Sequence, residues 1–349
     1  MGEISAILLE WYSQNKRELT WRESKDAYRI WVSEIILQQT RVSQGYDYFV
    51  RFIKRFPTVE ALALADEEEV LVYWQGLGYY SRARNLHAAS RQVVAMGGMP
   101  CTYEGVRSLK GVGDYTAAAI CSIAYGLPYA VVDGNVYRIL SRLMGISVPI
   151  DSSSGKREFA LLANELLDRR LPGEYNQAIM DFGALQCLPQ SPQCESCPLA
   201  GRCVAYASGT VSQFPVKQHR TTTKNRFFNY IYVRMGAYTF INKRQGNDIW
   251  RNLFEFPLIE TDSEVSPQEF AALPQVRELL HADDVDVPFK LVRRGVKHVL
   301  SHRVIYTSFY EITLPEASLS FSKFKRISIS EIEDYPVSRL MHTFIEKYV

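Results

Sequence analysis

From residue 1 to about residue 206, apolar positions recur at intervals of three and four, as in Val59 and Leu62 and then Val70, Leu71 and Trp74, with Gly or Pro between the runs. That spacing predicts a succession of helices and almost no strand. From Phe227 the period changes to two: Phe228, Tyr230, Tyr232 and Arg234 alternate with Asn229, Ile231 and Val233, and the run Val304 to Leu314 repeats the alternation. A helix is expected again near 335–348. Between the two regimes, residues 207–226 are polar and basic without periodicity and read as a linker. The expected organisation is therefore a mainly α region over 1–206, a linker over 207–226 and an α+β domain over 227–349.

Composition adds bounds. With 349 residues, 47% of them hydrophobic, the chain can bury two cores. Its first twelve residues carry Glu3 and Glu10 and read as an amphipathic helix, without the basic start and long apolar stretch of a signal peptide. No run approaches the length of a membrane span, so a cytoplasmic protein is expected. The formal net charge of +2 neither announces nor excludes a polyanionic partner. Residues 1–216 hold 21 Lys+Arg against 22 Asp+Glu, so any grip on phosphate there must come from oriented N–H groups and selected arginines such as Arg82 and Arg84.

Four of the six cysteines fall as Cys187-x6-Cys194-x2-Cys197-x5-Cys203. Four thiolates on one tight loop suit a four-cysteine zinc site or a cubane iron–sulfur cluster, since both take soft anionic ligands in a small volume. A zinc ribbon usually shows two close Cys pairs and only one is present, so the spacing favours iron–sulfur. Two structural disulfides would need an oxidising compartment, which nothing else in the chain supports.

Three further segments carry chemistry. Gly111-Val112-Gly113, between two helical stretches, allows a tight turn whose backbone N–H groups point at an anion from a helix N-terminus. This is a helix-hairpin-helix pattern, which holds DNA backbone without reading sequence. Asp133, in Val131-Val132-Asp133-Gly134-Asn135, is delivered by an apolar run to the start of a helix. It is at least an N-cap, and a capping carboxylate is held ionised and fixed. Glu34 lies in Trp31-Val32-Ser33-Glu34-Ile35-Ile36-Leu37, where helical spacing flanks it with Ile30, Trp31 and Leu37. Apolar surroundings raise a carboxyl pKa, which is the condition of a general acid. Two carboxylates in contrasting environments are the usual means of breaking a glycosidic bond, and a DNA base attacked in this way must first leave the duplex.

At this point the residues resemble the helix-hairpin-helix DNA glycosylase superfamily and, within it, the adenine DNA glycosylase (MutY) family. Five ordered motifs carry the resemblance: Leu37-Gln38-Gln39-Thr40, Gly76-Leu77-Gly78-Tyr79-Tyr80, the hairpin at 109–117, Val132 to Val136, and the cysteine loop. It implies a six-helix barrel with an iron–sulfur domain, followed by a Nudix-like domain, and removal of adenine mispaired with 8-oxoguanine or guanine in double-stranded DNA by a monomeric enzyme. It implies a 4Fe–4S cluster on Cys187, Cys194, Cys197 and Cys203. Carried over by position, Glu34 protonates adenine N7 and Asp133 stabilises the cationic sugar, with Tyr115 and Asn135 organising that site. Trp21 and Arg22 would line the adenine pocket, Gln39 and Tyr79 would wedge into the base stack, and Thr40 and Leu77 would lie near 8-oxoguanine. Gly111 and Gly113 would form the phosphate grip.

Departures from the pattern matter too. Related endonuclease III enzymes place a lysine where this chain has Tyr115, so the resemblance implies a monofunctional enzyme that leaves an abasic site. The family's Phe-Ser-His loop appears here as Leu300-Ser301-His302, which keeps Ser301 and His302 but loses the aromatic. No REXXEE run is present for Nudix hydrolysis, so the second domain should recognise rather than catalyse. The alternatives are an endonuclease III-like glycosylase/lyase and a non-catalytic iron–sulfur DNA sensor.

Overall fold

The computed structural model describes residues 2–219, 222–280 and 286–349. Twelve helices come first: α1 (Gly2–Asn15), α2 (Ala27–Leu37), α3 (Val42–Arg55), α4 (Val59–Leu64), α5 (Glu67–Trp74), α6 (Ser81–Ala95), α7 (Tyr103–Arg107), α8 (Asp114–Tyr125), α9 (Gly134–Met144), α10 (Ser153–Leu166), α11 (Pro172–Leu185) and α12 (Val204–Ala207). The strands follow as β1 (Lys224–Arg234), β2 (Tyr238–Lys243), β3 (Phe254–Glu255), β4 (Leu258–Thr261), β5 (Lys290–Val299), β6 (Arg303–Thr313) and β7 (Lys325–Ser328). Among them lie α13 (Pro267–Ala272) and α14 (Pro274–Arg277), and α15 (Arg339–Tyr348) closes the chain. No described helix is long and apolar enough to cross a membrane.

Two compact units result, and each draws on two stretches of sequence. The first is Met1–Ala65 with Arg84–Arg220; the second is Asp66–Ala83 with Thr221–Val349. Helical periodicity cannot reveal that α5 and the glycine-rich loop after it belong with the later strands, because periodicity reports local conformation and not partners.

Helix starts in the first unit follow their caps. Asp26 accepts from Arg29 N, Thr58 from Ala61 N, Thr102 from Gly105 N and Ser152 from Gly155 N, each satisfying an otherwise orphan donor. Helix α11 is central: it packs on α1, α8 and α9, placing Tyr175, Ile179 and Phe182 in the same apolar cluster as Leu8, Ala118 and Ile139. Gly183 permits the closest approach, since a Cβ there would lie 2.5 Å from Cβ of Asn135 on α9. Between α7 and α8, Gly111 takes φ +78° against Asn85, where any other residue would be strained and would clash. Gly113 is extended and serves as N-cap of α8. The expected linker is partly structured: Val216 accepts from Ile150 N, and Asp151 accepts from the backbone N–H of Gln218 and His219. Arg220 and Thr221 of that segment lie outside the described residues.

The second unit is α+β as the change of period implied. One sheet has the order β4-β1-β6-β5 and the other β3-β2-β7. The alternation along β1 has an unexpected origin. The strand is central, parallel to β6 and antiparallel to β4, and it is buried on both faces. Phe228, Tyr230 and Tyr232 enter a cluster with Phe309, Phe344 and Met341, while Ile231 and Val233 enter a second one with Phe270 and Tyr310. The two-residue period thus sends the aromatic and the aliphatic side chains of β1 into two different cores rather than separating core from solvent.

Candidate functional site

A cavity of about 750 Å³ opens in the first unit. Eight of the residues singled out from the sequence line it: Trp21, Arg22, Glu34, Gln39, Thr40, Tyr115, Asp133 and Asn135. Its size suits one small flat ligand with room to enter.

Glu34 sits on α2 at 8% exposure, with Ile30 and Trp31 buried on the same helix. Burial raises its carboxyl above the usual range, and the nearby Asp133 charge adds to this; the Tyr115 hydrogen bond and the Arg22 charge oppose it. Tyr115 Oη donates to Glu34 Oε2 at 2.6 Å from α8, and burial drives the phenol itself far above its ordinary value. A tyrosine that stays neutral is a fixed donor here.

Asp133 is the N-cap of α9. Its Oδ1 accepts from the backbone N–H of Asn135 and Val136, both at 2.9 Å, and its Oδ2 from Asn135 Nδ2 at 2.8 Å. Those three donors favour the carboxylate, as expected. Burial is the larger influence, however, and leaves Asp133 raised as well. The contrast with Glu34 therefore lies in partners: three N–H donors on Asp133 and a single phenol on Glu34. Burial desolvates both, which local spacing reveals for Glu34 and does not reveal for Asp133.

Sequence reasoning missed the residue that organises the cavity's cationic side. Asp181, on α11, is fully buried and takes Arg22 through two bonds of 2.7 and 2.8 Å, and Arg17 through Nη2 at 2.5 Å. Burial alone would raise it, but the bonds from Arg22 and Arg17 hold it below the ordinary carboxylate range. Its only signal was a charge on an apolar helical face, Ile179-Met180-Asp181-Phe182, the same signal that marked Glu34. A second miss is Arg138, one turn beyond Asn135. Its Nη2 donates to Asn135 Oδ1 at 2.8 Å and to Gly183 O at 2.6 Å, and its Nε to Cys187 O at 2.8 Å.

Cys187, Cys194, Cys197 and Cys203 line one small cavity, and Arg142 Nη1 reaches Cys187 Sγ at 3.4 Å. No three metal-ligating side chains among the described residues come close enough to share a single ion. Four cysteines around one cavity suit a cubane, which takes one thiolate on each iron. Arg202 on this loop is ion-paired with Glu3, so it adds little free positive charge.

Leu77, Tyr79, Ser301 and His302 are not on the cavity; the structure brings Tyr79 and Ser301 together in the second unit, Oη to Oγ at 2.5 Å. Tyr79 is 47% exposed, and both it and Gln39 hold left-handed backbone, φ +46° and +56°, which costs a non-glycine residue about 1 kcal/mol or more. Arg82, expected to bind phosphate, is instead buried: its Nη2 donates to Gly78 O, its guanidinium lies over the Trp74 and Tyr79 rings, and burial lowers it to about 10. It braces the glycine-rich loop.

Residues 32–163 match the helix-hairpin-helix superfamily of base excision DNA repair proteins, residues 187–203 the iron–sulfur binding domain of endonuclease III, and residues 229–347 a NUDIX domain. A solved thermostable thymine-DNA glycosylase aligns with TM-score 0.55 at 27% identity, covering 59% of this chain and 95% of that one. The chain is 34% identical to adenine DNA glycosylase of Buchnera aphidicola subsp. Schizaphis graminum, over 74% of this chain and 75% of that protein. It is 43% identical to the human adenine DNA glycosylase over 62% of this chain, but it spans less than half (44%) of that longer relative. The chain belongs to the adenine DNA glycosylase family, and its cysteine loop carries a 4Fe–4S cluster as cofactor.

Proposed function

We propose that this protein is a base-excision-repair DNA glycosylase that extrudes adenine from a mispair with 8-oxoguanine or guanine and hydrolyses its N-glycosidic bond. The observation that carries the reading is the meeting of Glu34 and Asp133 on one cavity, the first buried with only a phenol donating to it and the second held by three N–H groups. Glu34 donates its proton to adenine N7. The bond from N9 to the sugar then breaks with its electron pair leaving on the base, and positive charge develops on the sugar. Asp133 stabilises that charge; water adds to the anomeric carbon and gives its proton to the Glu34 carboxylate. Asn135 and Arg138 fix Asp133, while Arg22, locked by Asp181, and Trp21 hold the base.

Cys187, Cys194, Cys197 and Cys203 hold the cluster, which braces the loop that follows α11. The α8 N-terminus, opened by Gly111 and Gly113, takes a backbone phosphate. Tyr79 and Gln39 stack in the duplex, and Ser301 and His302 hydrogen-bond to 8-oxoguanine, with Thr40 and Leu77 beside it. Tyr115 has no amine with which to form a Schiff base, so the product is an abasic site.

Single-turnover assays on duplexes with adenine opposite 8-oxoguanine, adenine opposite guanine, and thymine glycol test this. Adenine should leave the first faster than the second, with no strand nick before alkali and no adduct after borohydride. Absence of adenine release by the intact protein refutes the reading.

A further inference from the structure

We propose that Asp248 is a positioning residue that sets discrimination between 8-oxoguanine and guanine by locking the turn that carries Ser301 and His302; this rests on the recognition role given to that turn above. The turn joins β5 to β6 through Leu300, Ser301 and His302; Leu300 N–H donates to Arg303 O at 2.8 Å, which leaves Ser301 and His302 at the tip, and Lys224 N–H ties it to β1 by donating to His302 O at 3.0 Å. Neither Ser301 nor His302 takes a positive φ, so the turn lacks the left-handed geometry through which Asn-Gly or Asp-Gly loops match the twist of the flanking strands. Contacts from outside the turn are what fix it.

The side chain of Arg303, the residue that closes the turn, donates through Nη1 to Asp248 Oδ1 at 2.5 Å. Asp248 is itself immobilised. Arg226 Nη1 bonds both of its oxygens, at 3.0 and 2.8 Å, and Arg244 Nη2 bonds Oδ2 at 2.9 Å. Those arginines are fixed in turn: Arg244 Nη1 spans both oxygens of buried Glu255, Arg226 makes two 2.6 Å bonds to Glu260, and both guanidinium groups lie over the Phe228 ring. A carboxylate held by two anchored arginines is a rigid post, and the turn is moored to it by a third. Charge-assisted bonds of this kind fix direction as well as distance. Ser301 and His302 remain exposed, and Ser301 Oγ is met by Tyr79 Oη at 2.5 Å, so the mooring holds the turn without covering either side chain.

The test is a double-mutant cycle read as the ratio of adenine-excision rates opposite 8-oxoguanine and opposite guanine, at sub-saturating protein. Asp248→Asn keeps the side-chain size and should lower the ratio about five- to tenfold, and Arg303→Gln, which cuts only the turn's own mooring, should do the same. Added to a Ser301→Ala/His302→Ala background, Asp248→Asn should change the ratio by less than about twofold, because its effect passes through those two side chains. A wild-type ratio in both Asp248→Asn and Arg303→Gln overturns the inference, as does full additivity in the cycle. If the Ser301→Ala/His302→Ala protein itself keeps the wild-type ratio, the recognition reading fails first and the inference falls with it.

Discussion

The cavity of the helical unit and the arginine platform of the β unit hold carboxylates in opposite ways. On the platform the acids are matched: buried Glu255 by Arg244, and half-buried Asp248 by three arginines. In the cavity the charges are sorted instead. Asp181 takes both arginines, while Glu34 is left with a neutral phenol and Asp133 with amide groups. Matching fixes geometry without cancelling burial, which still raises Glu255 beside Arg244, whereas the raised acids of the cavity face open space where chemistry can use them. The two regions thus separate rigid presentation from proton transfer.

Breaking the unmatched side should have the largest effect. Glu34→Gln removes the proton donor and should slow single-turnover excision by about 10²–10⁴-fold. The same change should stabilise the fold at neutral pH. Because the folded carboxyl is raised above its ordinary 4.5, Glu34 is least costly to the native state at low pH, and its cost grows as pH rises through the folded value. Melting curves at pH 8 and pH 4 check the sign: the variant's gain should be present at the first and vanish near the second. Next comes Asp133→Asn, with excision reduced about 10²–10³-fold through loss of charge at the developing cation. Asparagine caps a helix about as well, and the Asp133 carboxyl is also raised by burial, so the variant should be at least as stable as the wild type at neutral pH, which separates capping from catalysis.

The matched acids should show the reverse profile, large in stability and smaller in rate. Asp181→Asn strips the counter-charge from two arginines at a fully buried position and should cost about 3–5 kcal/mol in denaturant unfolding. Asp248, 32% exposed, shares its arginines with Glu255 and Glu260, so its Asn variant should cost only about 1 kcal/mol. Equal costs at the two sites would remove the distinction drawn from burial.

Which parts of this were legible follows the range of the interactions. The spacing of Glu34 among Ile30, Trp31 and Leu37 foretold its burial, and the run into Asp133 foretold a cap, because both are set within one helix turn. The cysteine loop and the Gly111 hairpin were legible for the same reason. Asp181 pairs with residues 159 and 164 positions away, and Asp248 with Arg303 at 55, so no local pattern encodes them. The raised state of Asp133 also escaped, since its hydrogen-bond donors are local but its desolvation comes from the assembled wall. Arg82 shows the converse: a basic residue at the start of α6 looks like a phosphate ligand until its guanidinium is seen folded under the glycine-rich loop that precedes it.

The smallest expected effect probes the single polar contact on Glu34. Tyr115→Phe removes the 2.6 Å bond and leaves the ring in place. If Tyr115 only fills space, excision should change little and its pH profile not at all. If it tunes the acid, two consequences follow together. The phenol stabilises the carboxylate, so its loss pushes Glu34 further up, and the fall in rate on the alkaline side should move to higher pH. The rate at low pH, where Glu34 is protonated in either protein, should drop only about three- to tenfold from poorer orientation of the carboxyl. A profile displaced to lower pH would mean that Tyr115 stabilises the acid rather than the carboxylate, and would reverse the assignment of the phenol as donor.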